Sequence, residues 1–204
     1  MSNGLNGDQT QAKVLLEKGK ELYVDDQDTE AVAAFQEAIK LDPNLAEAYF
    51  RLALGYEALN KREDAESQYK KAVDAYKKHL DGNPEDAEAH YNLGQSYANL
   101  GNYSEAIREY RQATRLKTDD PDIYYDLGVA HTKLAQYDAA AAAFSKSLEI
   151  DPDYYRAQDA LDEAKQGIKR IRAGKKHQAD LLKRQKEEEL KKAGLSVPSP
   201  TPKG

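Results

Sequence analysis

Apolar residues along this chain fall three and four apart rather than two, which predicts helices throughout and no strands. The pattern also repeats. Gly19, Ala53, Gly94 and Gly128 are separated by 34, 41 and 34 residues, and Ala31, Ala65, Ala106 and Ala140 keep the same spacings, as do Phe35, Tyr69, Tyr110 and Phe144. Small residues in the first two columns let two antiparallel helices approach closely. The large residue four after each alanine sits one turn on, on the same face, and fills the gap between them. Four helix-turn-helix units follow, each with too little apolar surface to stand alone, so stability has to come from stacking neighbours.

The seven extra residues of the second copy equal nearly two helical turns, so the buried face survives the insertion. Ala72, Val73, Tyr76 and Leu80 continue its stripe, and Gly82 is placed to end it. This predicts an extended helix from about residue 63 to 80. Gly101-Asn102 and the acidic stretch Asp25 to Asp28 mark tight turns inside units, with Asp28 expected to cap the next helix. Asp42-Pro43 and Asp151-Pro152 are expected at helix starts, the acid as N-cap and proline at the first helical position. The third copy differs, with Thr118 where proline stands elsewhere and Pro121 three residues later.

Beyond the last copy, Tyr154, Ala157, Leu161, Ala164, Ile168 and Ile171 form one helical stripe, as expected of the capping helix that covers the last face of an array. After Ala173-Gly174 the stripe gives way to charge. Residues 165–204 carry a net +8 and residues 1–164 a net −14, summing to the chain's −6. The organisation expected is a flexible N-terminus (1–11), four units (12–45, 46–86, 87–120 and 121–153), a capping helix (154–172), a charged helical tail (173–192) and a disordered, proline-rich end (193–204).

With these columns in view, the chain resembles the tetratricopeptide repeat family. The family's aromatic-x2-Leu-Gly-x2-Tyr signature is matched by His90, Leu93, Gly94 and Tyr97. It is matched again by Tyr49, Leu52, Ala53 and Tyr56, by Tyr124, Leu127, Gly128 and His131, and most weakly by Leu15, Lys18, Gly19 and Leu22. The resemblance implies an all-α fold, a right-handed superhelix (α-solenoid) of four units plus the capping helix, with ligands held in a concave groove.

Composition narrows the chemistry. There is no cysteine, which removes disulfides, thiolate zinc sites and cysteine nucleophiles. No apolar run approaches the length of a membrane span and no secretory signal precedes the repeats, so a cytoplasmic location is expected. Phosphate loops, metalloprotease helices and serine elbows are all missing. His90 and His131 occupy aromatic columns of the repeat, where packing explains them. The reading is a chain that is not an enzyme and uses no cofactor or metal.

Matching the family's groove residue by residue implies a row three before the glycine column (Leu16, Phe50, Tyr91, Tyr125) and one directly after it (Lys20, Leu54, Gln95, Val129), with Tyr23 beside them. Glu47, Glu88, Asp122 and Asp126 form an acidic rim. The expected function is a protein-interaction scaffold holding a partner's peptide or helix by apolar anchors flanked by basic residues. The competing reading is self-assembly through the groove or the C-terminal helix, giving a monomer or a weak homo-oligomer. A subgroup of the family clamps the acidic tails of heat-shock chaperones with lysine, asparagine and arginine. Here those columns hold Leu16, Lys20, Arg51, Glu88 and Asn92, or one unit on Phe50, Leu54, Asn92, Asp122 and Asp126, so no clamp is expected. Nucleic acid or an anionic membrane at residues 165–192 is not favoured either, because stacking aromatics are missing and the body is acidic.

Overall fold

The structure is a computed structural model and describes residues 2–193. Apart from Ala193, the stretch expected to be a disordered end lies outside the described residues. Nine helices are present among those residues: α1 (Ser2–Val24), α2 (Asp28–Leu41), α3 (Ala46–Ala58), α4 (Arg62–Gly82), α5 (Ala87–Asn99), α6 (Tyr103–Leu116), α7 (Pro121–Lys133), α8 (Tyr137–Ile150) and α9 (Tyr155–Lys192). Consecutive helices pack against each other in antiparallel pairs, α1 with α2 through α7 with α8, and α9 closes the stack on α8. The result is an all-α solenoid.

Glycine sets the spacing inside three of the four pairs. A Cβ added to Gly19, Gly94 or Gly128 would lie 2.5, 2.6 or 2.5 Å from ring atoms of Phe35, Tyr110 or Phe144. Each ring therefore rests on bare helix backbone. In the second unit Ala53 stands opposite Tyr69, both buried. The alanine column Ala31, Ala65, Ala106 and Ala140 is buried throughout, leaving no room on the facing helix for anything larger. The same device docks α9, whose Gly167 lies under the Tyr137 ring of α8.

The turn inside each unit is one motif used four times. Asp26, Asn60, Gly101 and Ala135 have φ of 57°, 58°, 77° and 54°, at the spacing of the other columns. The next residue's N–H bonds to the carbonyl five residues back, as from Gln27 to Leu22 and from Gln136 to His131, both at 2.9 Å. That is the Schellman closure with a left-handed C′ residue. It displaces one expected cap. Once Asp26 has turned the chain, Gln27 occupies the cap position of α2, and Asp28 is the first helical residue with no capping bond. Its charge still favours the helix N-terminus.

The links between units also differ from expectation. Asp42 and Asp151 end helices instead of starting them. Each folds back as a turn, Asp42 Oδ1 accepting the Asn44 N–H and Asp151 Oδ1 the Asp153 N–H, both at 3.0 Å. Four-residue links leave the caps further on, where the Asp86 side chain accepts the Ala89 N–H at 3.0 Å. The expected acid-cap and proline-first arrangement occurs at the unusual junction, with Asp120 capping α7 and Pro121 opening it.

One helix is longer than the pattern suggests, and another joins two expected helical segments into one. α1 begins at Ser2, within the segment expected to be flexible, because a helix packed at Ala12 and Leu16 extends outward at the gain of one bond per residue. α9 runs without a break through the expected boundary near residue 172. Its Gln158, Asp162 and Lys165 bond among themselves on the side a further helix would cover, so the array is closed by polar side chains.

Ala106→Leu or Ala140→Leu overpacks a buried contact and is expected to lower stability by about 1–3 kcal/mol each, read from urea or thermal unfolding. A neutral result would mean that the helices are not as close as described. Ala135→Gly relieves a left-handed backbone that carries a Cβ, and is expected to raise stability by about 1 kcal/mol in the same assay.

Candidate functional site

Odd-numbered helices touch their next odd neighbours, α1 with α3, α3 with α5, α5 with α7 and α7 with α9, whereas even-numbered helices do not touch one another. In a curved stack the layer with these extra contacts is the inner one. The concave face is therefore made by α1, α3, α5 and α7, the helices on which the sequence places its groove rows.

The row before the glycine column is not a free surface. Leu16 and Phe50 are each only 3% exposed. Phe50 packs on Tyr69 with ring centroids 5.9 Å apart, Tyr91 on Tyr110 at 5.9 Å, and Tyr125 on Phe144 at 5.7 Å. Tyr125 is further enclosed by Tyr154 at 5.5 Å and by the Arg156 guanidinium 4.7 Å from its centroid. The reason is the close helix approach: a side chain one turn before the glycine is carried over the same ring that the glycine admits. Leu16 and Phe50 accordingly belong to the core, and Tyr91 and Tyr125 present only part of their rings.

The row after the column is more open. Leu54, Gln95 and Val129 are half-buried. They line a concave cleft of about 400 Å³ together with Arg51, Ala98 and Lys133. Lys20 and Tyr23, at the N-terminal end of the same layer, are also half-buried. Arg51, Tyr103 and Lys133 were not among the expected groove residues. Lys133 sits one turn beyond Val129, a row that a helical wheel continued one step further would have included. A larger opening of about 580 Å³ lies at the turn edge between the second and third units, walled by solvated side chains such as Glu57, Arg62 and Glu66.

The acidic rim is largely committed to internal partners. Glu47 pairs with Lys20 at 3.3 Å and Arg51 at 3.2 Å. Asp122 accepts the Tyr154 hydroxyl. Asp126 Oδ2 accepts the Tyr91 hydroxyl at 2.9 Å and the Gln95 amide at 3.2 Å, tying α5 to α7 across the cleft floor. Burial pushes the Asp126 carboxyl above its ordinary range, while the Tyr91 and Gln95 bonds pull it back. Glu88 is exposed, and its carboxylate makes no ion pair or hydrogen bond among the described residues.

The histidines of the aromatic columns are structural. His90 Nδ1 meets Glu109 Oε2 at 2.8 Å and its Nε2 meets the Pro84 carbonyl at 3.1 Å, joining α5 to α6 and to the preceding link. His131 Nδ1 meets Gln136 Oε1 at 2.7 Å at a unit turn, and burial depresses its pKa. Among the described residues, no three His, Cys, Asp or Glu side chains gather as a metal site, and no helix is long and apolar enough to cross a membrane.

Comparison with known proteins places these features. A family model described as TPR repeat matches residues 19–60, 65–101 and 96–135, and two described as tetratricopeptide repeat match residues 46–79 and 121–154. None of the curated proteins matches the sequence. Among solved structures, the chain is similar to a crystal structure of MamA protein at 26% identity and a TM-score of 0.57, over 92% of this chain and 98% of that one. A second MamA crystal structure aligns at 26% identity and a TM-score of 0.51, covering 79% of this chain and 96% of that one. MamA 41-end from Desulfovibrio magneticus RS-1, at 18% identity and a TM-score of 0.53 over 82% and 97%, is a likeness of fold alone.

Because its folded-state pKa is raised, the Asp126 carboxyl favours the folded state when protonated. That contribution is present below the ordinary carboxylate range and is lost as pH rises through the raised value. Asp126→Asn keeps an oxygen acceptor for Tyr91 and removes the buried charge. It is expected to match the parent's stability near pH 3 and to exceed it near pH 7, in urea titrations spanning about that range. A variant that loses stability as pH rises would show that the charge is favourable where it lies.

Proposed function

Since the chain belongs to the tetratricopeptide repeat family, we propose that it is a non-catalytic protein-interaction scaffold that holds a peptide or helix of a partner protein in its concave cleft. The observation that carries this reading is the cleft itself. Leu54, Ala98 and Val129 give it an apolar floor, and Arg51, Gln95 and Lys133 give it polar walls. A few apolar contacts framed by oriented polar groups are what a side-chain anchor of a partner segment requires.

Burial of Leu16 and Phe50 narrows the binding face to Lys20, Tyr23, Leu54, Gln95 and Val129, with the exposed parts of Tyr91 and Tyr125 beside them. The rim is acidic chiefly at the N-terminal ends of α5 and α7, where Glu88 and Asp122 are exposed. That edge favours a basic residue next to the partner's apolar anchor. A chaperone tail is not the proposed ligand, because Asn92 is buried and Asp126 is an acceptor already bonded by Tyr91, where a carboxylate clamp would need free donors.

A second reading, self-association, draws support from α9. Its residues from Ile171 onward are almost all exposed and strongly basic, opposite in sign to the repeats.

A photo-crosslinking residue at Gln95 is expected to capture a partner segment carrying apolar and basic residues, whereas one at Lys70, outside the concave layer, captures none. Val129→Asp should weaken binding of the captured segment by about tenfold or more, the loss of one buried apolar anchor, with the melting temperature unchanged. Equal capture at both positions overturns the cleft assignment. Light scattering over a concentration series separates the second reading: mass that grows with concentration, and stops growing when the chain is truncated after Gly174, identifies self-association.

A further inference from the structure

The seven residues inserted in the second unit do more than lengthen a helix. In the other units the second helix ends at Leu41, Leu116 and Ile150, each at the same distance from its glycine column. The corresponding position in α4 is Ala75, so Tyr76 to Gly82 have no counterpart elsewhere in the array. This extra length is held at two points. Lys78 Nζ donates to Asn44 Oδ1 at 2.7 Å in the α2–α3 link, and His79 Nε2 meets Asp86 Oδ2 at 2.8 Å at the start of α5. Between the extension, that link and the first turns of α3 and α5 lies a cavity of about 330 Å³.

Its wall combines two independent features. One is charge. Asp42, Glu47, Asp86 and Glu88 contribute four carboxylates, with Lys13 and His79 in the same wall and Glu47 already neutralised by Lys20 and Arg51. Three of the four already have partners in the protein, as described above, and Glu88 does not. The other is a buried polar atom. Tyr76 is 4% exposed and its hydroxyl has no partner in hydrogen-bond geometry, although the Asn92 amide approaches it. Tyr76 lines the cavity with Glu47, Glu88 and Asn92, and the charges acting on its hydroxyl are those of Glu47, Arg51 and Glu88. Burial keeps it protonated and neutral. A buried hydroxyl without a partner costs free energy that a ligand donor would recover.

We propose that this cavity is a binding site for one lysine or arginine side chain of the partner segment, its cationic head donating to the Tyr76 hydroxyl and to Glu88 while its alkyl stem lies along Leu45, Ala46 and Ala89. The charge excludes an anionic head, and the apolar stretch of wall suits methylene groups. An arginine fits the two separated acceptors better than a lysine, since its planar fork presents several donors in fixed directions. The source of the side chain rests on the scaffold reading above, whereas the site's preference for a cation does not.

The test needs no partner. Isotope-labelled full-length protein is titrated with ethylguanidinium chloride, and separately with n-butylammonium chloride, against sodium chloride at the same ionic strength. Saturable shifts are expected at the Asn92 side-chain amide and the Ala89 backbone amide with at least one of the two organic cations and not with sodium. Tyr76→Phe, which removes only the hydroxyl, and Glu88→Gln, at an exposed position, should each weaken binding by about fivefold, as for loss of one hydrogen bond. Val129→Asp in the cleft should leave it unchanged. The proposal is overturned if neither organic cation gives saturable shifts at these groups, or if both Tyr76→Phe and Glu88→Gln bind as the parent does. Cation binding without capture of any segment at Gln95 would sink the scaffold reading and leave the cavity assignment standing.

Discussion

Everything in this protein depends on an aromatic ring lying directly on helix backbone. Where Phe35, Tyr110 and Phe144 meet Gly19, Gly94 and Gly128, no methyl group fits between ring and chain. The contact brings two helices close enough to expel water along their length, and dispersion and burial then act over the whole pair. One pair still leaves an apolar face uncovered, and the next unit covers it. Repetition is thus a consequence of the contact, as is the need for α9, which reuses it through Gly167 and Tyr137 before presenting a polar outer side.

The same closeness determines what the concave face can offer. Aromatic side chains one turn before the glycine column are drawn over the neighbouring ring and spent on packing. Recognition is left to smaller and more polar side chains one residue after that column. Several charges are also engaged. Glu47 is neutralised by Lys20 and Arg51, and Asp126 serves Tyr91 and Gln95. An interaction surface of this kind selects by shape and by a few oriented groups more than by its formal charge.

Departures from the repeat carry the individuality of the molecule. The insertion in α4 keeps the helical phase, so it leaves the stack intact, yet it adds a wall that no other junction has. Lys78 and His79 hold this wall against the α2–α3 link and the start of α5. The Tyr76 hydroxyl and the Glu88 carboxylate remain there without partners. α9 departs differently, extending past the last unit as an exposed basic helix joined to an acidic body.

The sequence by itself determined the helical fold, the four units, the lengthened α4 and the capping role of α9. These rest on local periodicity and on columns of small and large residues, and such patterns persist whatever the chain does at long range. The concave layer came from the family resemblance those columns carry, and spacings of three and four then placed its rows on one helix face. What only the tertiary structure decided is which members of that face remain open. Leu16, Phe50, Tyr91 and Tyr125 read as one row, but their exposure depends on how near the neighbouring helix comes, a distance set by Gly19, Ala53, Gly94 and Gly128 together with the rings opposite them. Hydrogen bonds across units were equally hidden: Tyr91 and Asp126 stand 35 residues apart, and no periodicity announces that one will satisfy the other. The Tyr76 hydroxyl was hidden for the same reason, since a partnerless atom is recognised only when every possible partner has been placed.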